Sequence, residues 1–165
     1  MSTSFSRALR HLVATDFGLH RAFDRETLAA IEATIRATER THGGEIRFAI
    51  EGNLGAPDLW RGVTPRERAL HVFSILNVWD TEANNGVLVY ILWADHDVEI
   101  VADRGFNGRV TAQEWMEICQ RMKALFAEHQ PKEASLEGIR AVGALIGRHF
   151  PSVDRNEQPD RPVIL

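Results

Sequence analysis

Asp80, Glu82, Asn84 and Asn85 place side-chain oxygens along a polar, turn-forming stretch that ends at Gly86. Hard oxygen donors at alternate positions are what Ca²⁺ or Mg²⁺ prefers, so Asp80, Glu82 and Asn84 form a candidate metal set. The competing reading is a turn whose Asp and Asn side chains cap backbone amides and the preceding helix. The stretch is not an EF-hand loop: its glycine falls one place late, and Ile91 stands where a bidentate Glu is required. Further on, Asp103 and Arg104 form a second candidate group. As a functional pair, Asp103 would join the metal set or act as an acid/base, and Arg104 would hold an anionic group. As a structural pair, they would be a strand terminus with a local ion contact. His42, between Glu39 and Glu45, is either a helix-end ligand or a histidine that satisfies helix-end carbonyls.

Charge is concentrated around these residues. Between Asp80 and Asp103 lie six acids (Asp80, Glu82, Asp95, Asp97, Glu99, Asp103) and no Lys or Arg, against a net charge of −4 for all 165 residues. A pI near 6.0 argues against a dedicated nucleic-acid binder, whose domain is usually strongly basic. With 44% hydrophobic residues and one cysteine, the chain has the composition of a single globular domain and not of a disulfide scaffold. Cys119 falls on the apolar face of a predicted helix and reads as a buried structural thiol. The longest apolar run, Gly86 to Ala94, is too short to span a membrane, and no secretory signal is evident, so a cytoplasmic location is expected. There is no Gly-rich phosphate loop, Cys-x-x-Cys pair, His-Glu-x-x-His or Gly-x-Ser-x-Gly elbow, and therefore no serine or cysteine nucleophile is expected.

The elements that must position the candidates can be read in order. Residues 1–22 form a basic amphipathic arm, with Phe5, Leu9, Leu12 and Val13 at helical spacing beside Arg7, Arg10 and His11. The arm docks on the domain's own surface or meets a protein partner or membrane surface. Asp24 caps a helix that the glycines after His42 terminate. Glu45 to Glu51 alternates as a half-buried strand. Thr64-Pro65-Arg66-Glu67 is a capping box that opens a second helix. Val87 to Trp93 is apolar at every position, which predicts a strand covered on both faces. Asp95-His96-Asp97 turns the chain into an antiparallel strand, Val98 to Ala102. Thr111-Ala112-Gln113-Glu114 opens a third helix, and a last one runs from about Ser135 to His149. The domain should occupy residues 23–150, followed by a loose tail, 151–165.

This order implies a three-layer α/β/α sandwich: a small mixed sheet with one β-α-β crossover and an antiparallel hairpin. It also sorts the polar residues by sheet end. His42, Asp80, Glu82, Asn84, Asn85, Asp103 and Arg104 gather at one end, near the Thr111 helix start, whose free amides would suit an anion. Glu51, Asn53, Asp95, His96 and Asp97 gather at the other and read as solvated turn residues.

Several segments are similar to the TPM-domain family: Gly43-Gly44-Glu45-Ile46, Asn84-Asn85-Gly86-Val87-Leu88-Val89, Val98-Glu99-Ile100-Val101 and Arg104-Gly105-Phe106-Asn107-Gly108. The resemblance covers roughly residues 24–150. It implies an α/β/α domain with an acidic pocket and, in some members, a divalent metal. Phosphatase activity has been attributed to the family, which also has members in repair, assembly and receptor-accessory roles. Two functions are therefore expected. One is a non-catalytic accessory or binding module whose acidic end takes a cation or a basic segment. The other is a metal-dependent phosphatase-like hydrolase of phosphomonoesters, with Asp80, Glu82, Asn84 and Asp103 on Ca²⁺ or Mg²⁺ and Arg104 on phosphate.

Overall fold

A central strand whose seven residues are all buried organises the computed structural model, which describes residues 5–14, 16–152 and 156–165. Among the described residues, helices α1 (Phe5–Val13), α2 (Asp16–Ala22) and α3 (Arg25–Glu39) precede strand β1 (Glu45–Glu51). A short α4 (Ala56–Trp60) and α5 (Pro65–Ile75) lead to β2 (Gly86–Leu92) and β3 (Asp97–Ala102). Helices α6 (Ala112–Ala127) and α7 (Pro131–His149) and a short β4 (Val163–Ile164) complete the chain. Residues 1–4 and 15 of the expected arm, the side chains of Phe5 and Asp16, and residues 153–155 of the expected tail lie outside the described residues.

The helix starts follow local chemistry. Asp24 accepts the Thr27 amide at 2.8 Å, satisfying one of the donors that a helix N-terminus leaves free. Thr64/Glu67 and Thr111/Glu114 form complete capping boxes at the starts of α5 and α6.

The sheet runs β3-β2-β1-β4, with β2 parallel to β1 and antiparallel to β3. Alternation along β2 sends Val87, Val89 and Ile91 into a core with residues of α3, α6 and α7. Leu88, Tyr90 and Leu92 enter a second core with Ala69 and Val72 of α5. Helices therefore cover both faces, which is the expected three-layer sandwich. Each fully buried Val, Leu or Ile contributes about 1.5–3 kcal/mol, so β2 anchors both halves.

The C-terminal segment departs from expectation. It is not loose: β4 pairs parallel with β1, Ala49 opposite Val163 and Ile50 opposite Ile164. Arg47 donates to the carbonyls of Pro159 and Arg161 at 2.6 and 3.0 Å, while Glu45 accepts the amides of Glu157 and Gln158 at 3.0 and 3.1 Å. Pro159 and Pro162, which read as signals of a loose tail, instead preset an extended backbone that an edge strand can use. The charged positions of β1 are consequently buried, Glu45 to 3% and Arg47 to 7% exposure, where alternation predicted a solvated face.

Below this junction, Glu39 accepts the Ile46 amide with one oxygen at 2.8 Å, and its second oxygen is buried without a partner. Burial above all, with the nearby charges of Glu45 and Asp160, pushes its pKa up to about 8 from an ordinary 4.5. Between those values the folded chain holds a proton that the unfolded chain has released, so stability falls as pH rises through that window. Glu39→Gln is expected to stabilise the protein by about 2–4 kcal/mol at pH 8 and to leave stability near pH 4 almost unchanged. Urea unfolding at both pH values measures this; equal effects at both would refute it. Glu45, shifted upward by burial, retains its own contribution in the variant.

Candidate functional site

The sheet topology brings part of the expected site together. Asp103 leaves β3 beside the start of β2, its amide donating to the Gly86 carbonyl at 2.9 Å. Arg104 Nε donates to Asn84 Oδ1 at 2.7 Å, and the Arg104 amide donates to Asp103 Oδ1 at 2.7 Å. Asp103 Oδ2 is buried and has no partner. Asn84, Asp103 and Arg104 thus form one cluster. Asp80 and Glu82 lie exposed on the adjoining turn. The Glu82 amide faces the carboxylate of Glu157 at 3.2 Å, so the docked C-terminal segment adds an acid that sequence reasoning missed. Among the described residues, no group of three or more His, Cys, Asp or Glu side chains is placed to hold a metal ion.

The residues that carry the family resemblance are chiefly concerned with close packing. Asn85 is buried; its amide donates to Thr81 Oγ1 at 3.0 Å and its Nδ2 to the Gly43 carbonyl at 2.5 Å. It thereby ties the turn before β1 to the start of β2. Gly86 lies against the Val78 carbonyl, and a Cβ on Gly105 would meet the Ala83 carbonyl oxygen at 2.9 Å. Phe106 is buried between Trp115 and Phe150, with ring centroids 5.6 and 5.0 Å away. Asn84 takes a left-handed backbone, φ 53°, which turns its carbonyl toward the Gly105 amide.

Two further expectations at this end change. Glu114 occupies the opening turn of α6, accepting the Thr111 amide at 2.9 Å, so a carboxylate already holds the position suggested for an anion. His42 does not satisfy helix-end carbonyls; its Nδ1 accepts the Gly44 amide at 3.2 Å. Burial holds its pKa below the ordinary value, and its Nε2 is buried without a partner.

The other end of the sheet was expected to be solvated, and two of its acids are instead buried in networks. Glu51 accepts Arg68 at 2.8 and 2.7 Å and the Tyr90 hydroxyl at 2.5 Å. Burial, then that hydrogen bond, raises the Tyr90 pKa far above its ordinary value. Asp95 accepts Arg7 at 2.9 and 2.7 Å and faces His11 Nε2 at 3.1 Å. His11 Nδ1 accepts the Leu54 amide at 2.9 Å, so the imidazole proton lies on Nε2 and points to Asp95. Burial alone would raise the Asp95 carboxyl, yet the hydrogen bonds and charges of Arg7 and His11 hold it below its ordinary value. Arg7 and Asp95 are 88 positions apart, too far for local patterning to pair them. His11 on the amphipathic arm was the one available signal. Cys119 is buried, and burial raises its thiol pKa to about 11, consistent with a structural role.

A small mixed sheet sandwiched between helices, with Asn-Asn-Gly and Gly-Phe-Asn-Gly turns packed at one end, defines the class of α/β/α domain to which this chain conforms. The family model described as TPM domain matches residues 19–145, and the chain belongs to that family. The solution structure of the BA42 protein from the psychrophilic bacterium Bizionia argentinensis is similar, at 27% identity and a TM-score of 0.74, over 85% of this chain and 93% of that one. The N-terminal domain of a P. gingivalis protein shares the fold at 17% identity and a TM-score of 0.63, over 81% and 82% of the two chains. No curated protein matches the chain.

Proposed function

We propose that this TPM-domain protein is a non-catalytic binding module whose acidic sheet end takes a hard divalent cation, Ca²⁺ or Mg²⁺, anchored at Asp103. The observation that supports this is the buried, unpartnered Oδ2 of Asp103, because a carboxylate oxygen without a donor is costly unless a ligand completes it. The donor chemistry fits: Asp103 and Asn84 supply hard oxygens, and Asp80 and Glu82 are exposed beside them. Arg104 is the internal competitor, because its guanidinium engages Asn84 Oδ1. So few protein ligands would leave much of the shell to water and give weak binding, on the order of 10⁻⁴–10⁻³ M.

The test is a thermal-shift and NMR titration of the full chain with Ca²⁺, Mg²⁺ and Mn²⁺. Asp103→Asn is expected to abolish the cation-dependent shift, and Arg104→Ala to strengthen binding about tenfold by removing a competing positive charge. No cation-dependent shift, or weaker binding in Arg104→Ala, would refute the reading.

The phosphatase-like alternative ranks second, since Arg104 rests on Asn84 and not toward an open phosphate site. Catalysis of phosphomonoester hydrolysis that is lost in Asp103→Asn would restore it. A second contact in this reading is the arm: Leu12 and Phe17 on α1 and α2 are 81% and 76% exposed, an apolar surface suited to a protein partner or membrane surface. No helix among the described residues is long and apolar enough to cross a membrane. A cytoplasmic setting is part of the same proposal.

A further inference from the structure

A cavity of about 840 Å³ opens between α2, the Trp93–Asp95 turn and the end of α6, remote from the Asp103 cluster. That size falls within the range of small-molecule sites. Its wall is aromatic. Trp93 meets Phe126 edge to face, with ring centroids 6.5 Å apart, and Phe23 packs behind at 5.8 Å from Trp93. The rim is basic: Arg21, Lys123, His96 and His129 stand against one carboxylate, Asp97. Lys123 already pairs with Asp97, whereas Arg21 is exposed and has no carboxylate partner among the described residues. Lys123 is also one of only two lysines in the chain.

Backbone geometry adds an independent observation. His96 and His129 both take left-handed conformations, φ 51° and 59°, which non-glycine residues adopt at an energetic cost. Of four such residues among those described, two line this cavity together with Arg21 and Lys123. Imidazole and guanidinium N–H groups donate well to a charged oxygen, and an aromatic wall favours a flat ring lying edge-on or offset against it.

We propose that this cavity binds a small organic anion with an aromatic body, the ring against Trp93 and Phe126 and the acid group on Arg21 and the rim histidines. A neutral aromatic molecule would fill the same wall but leave the basic rim unused. An inorganic anion would meet the rim and gain nothing from the wall. The two features together select a ligand that carries both.

The test uses anilinonaphthalene sulfonate as an aromatic anion and phenylnaphthylamine as its uncharged counterpart. Both are titrated into the full native chain and followed by fluorescence and by the indole N–H signal of Trp93, assigned with Trp93→Phe. The sulfonate is expected to bind saturably and move the Trp93 signal. Arg21→Glu, a change at an exposed helical position, should weaken the sulfonate about tenfold and the uncharged probe by less than about twofold. Phe126→Ala should weaken both; should that variant fail to fold, Arg21→Glu still decides the question. Non-saturable binding, indifference to Arg21→Glu, or loss of binding in Leu12→Ser/Phe17→Ser would overturn the proposal, the last by placing the probe on the exposed helical stripe.

Discussion

Gly86→Ala is expected to lower stability by about 3 kcal/mol, a fall of roughly 6–12 °C in Tm for a chain of this length. The cause is space. A Cβ at Gly86 would overlap the Val78 carbonyl oxygen and lie 3.1 Å from the Val78 carbonyl carbon, and neither backbone atom can rotate away as a side chain could. Relief would require Val78 to withdraw from the turn that leads into β2, breaking the packing of a fully buried residue. Gly108 makes the informative comparison. It has open space around it but a backbone φ of +72°, so Gly108→Ala costs only the left-handed conformation, about 1–2 kcal/mol. Thermal melts of both variants followed by circular dichroism measure the difference. If Gly86→Ala is no worse than Gly108→Ala, the close approach does not constrain the start of β2.

Arg68→Ala should also cost about 3 kcal/mol, because it leaves a buried carboxylate without its countercharge. The Glu51 side chain is only 8% exposed and receives two Arg68 nitrogens, at 2.8 and 2.7 Å. After the substitution only the Tyr90 hydroxyl would remain as its side-chain partner among the described residues. Tyr90→Phe removes one hydrogen bond and should cost less, about 1–2 kcal/mol. A double-mutant cycle between Arg68→Ala and Glu51→Ala, measured by urea unfolding, should give a coupling energy of at least about 1.5 kcal/mol. Additive effects would show that the pair contributes little beyond the burial of its aliphatic stems.

The parts of this molecule that could be read from sequence are those determined by near neighbours. Asp24, Thr64 and Thr111 cap helices through amides three residues away, and a short, β-branched-rich apolar run from Val87 bounded by turn residues reads as a strand covered on both faces. Asn84, Asp103 and Arg104 lie at one sheet end, a neighbourhood legible in the sequence because one crossover and one hairpin leave few arrangements for the strand ends. The position of Asp80 and Glu82 relative to them depends on a turn conformation, including the left-handed Asn84, that residue types do not specify. Burial of Glu51 and Asp95 was hidden for another reason. A charge looks solvated until its partner is found, and here the partners lie 17 and 88 positions away. The C-terminal segment misled through its prolines, which signal loss of regular structure in isolation but favour extension once an edge strand offers hydrogen bonds.

The docking of β4 also has a consequence for the order of assembly. Arg47 and Pro159 are 112 positions apart, so the contacts that cover the free edge of β1 are among the least local in the chain. Loop-closure entropy makes such pairings late events in folding. Until they form, β1 presents unpaired amides and carbonyls along an open, aggregation-prone edge. A nascent chain that has completed every helix is therefore still adhesive, and protection comes only with the segment that follows α7. The interval before that closure is when this protein should depend most on chaperones.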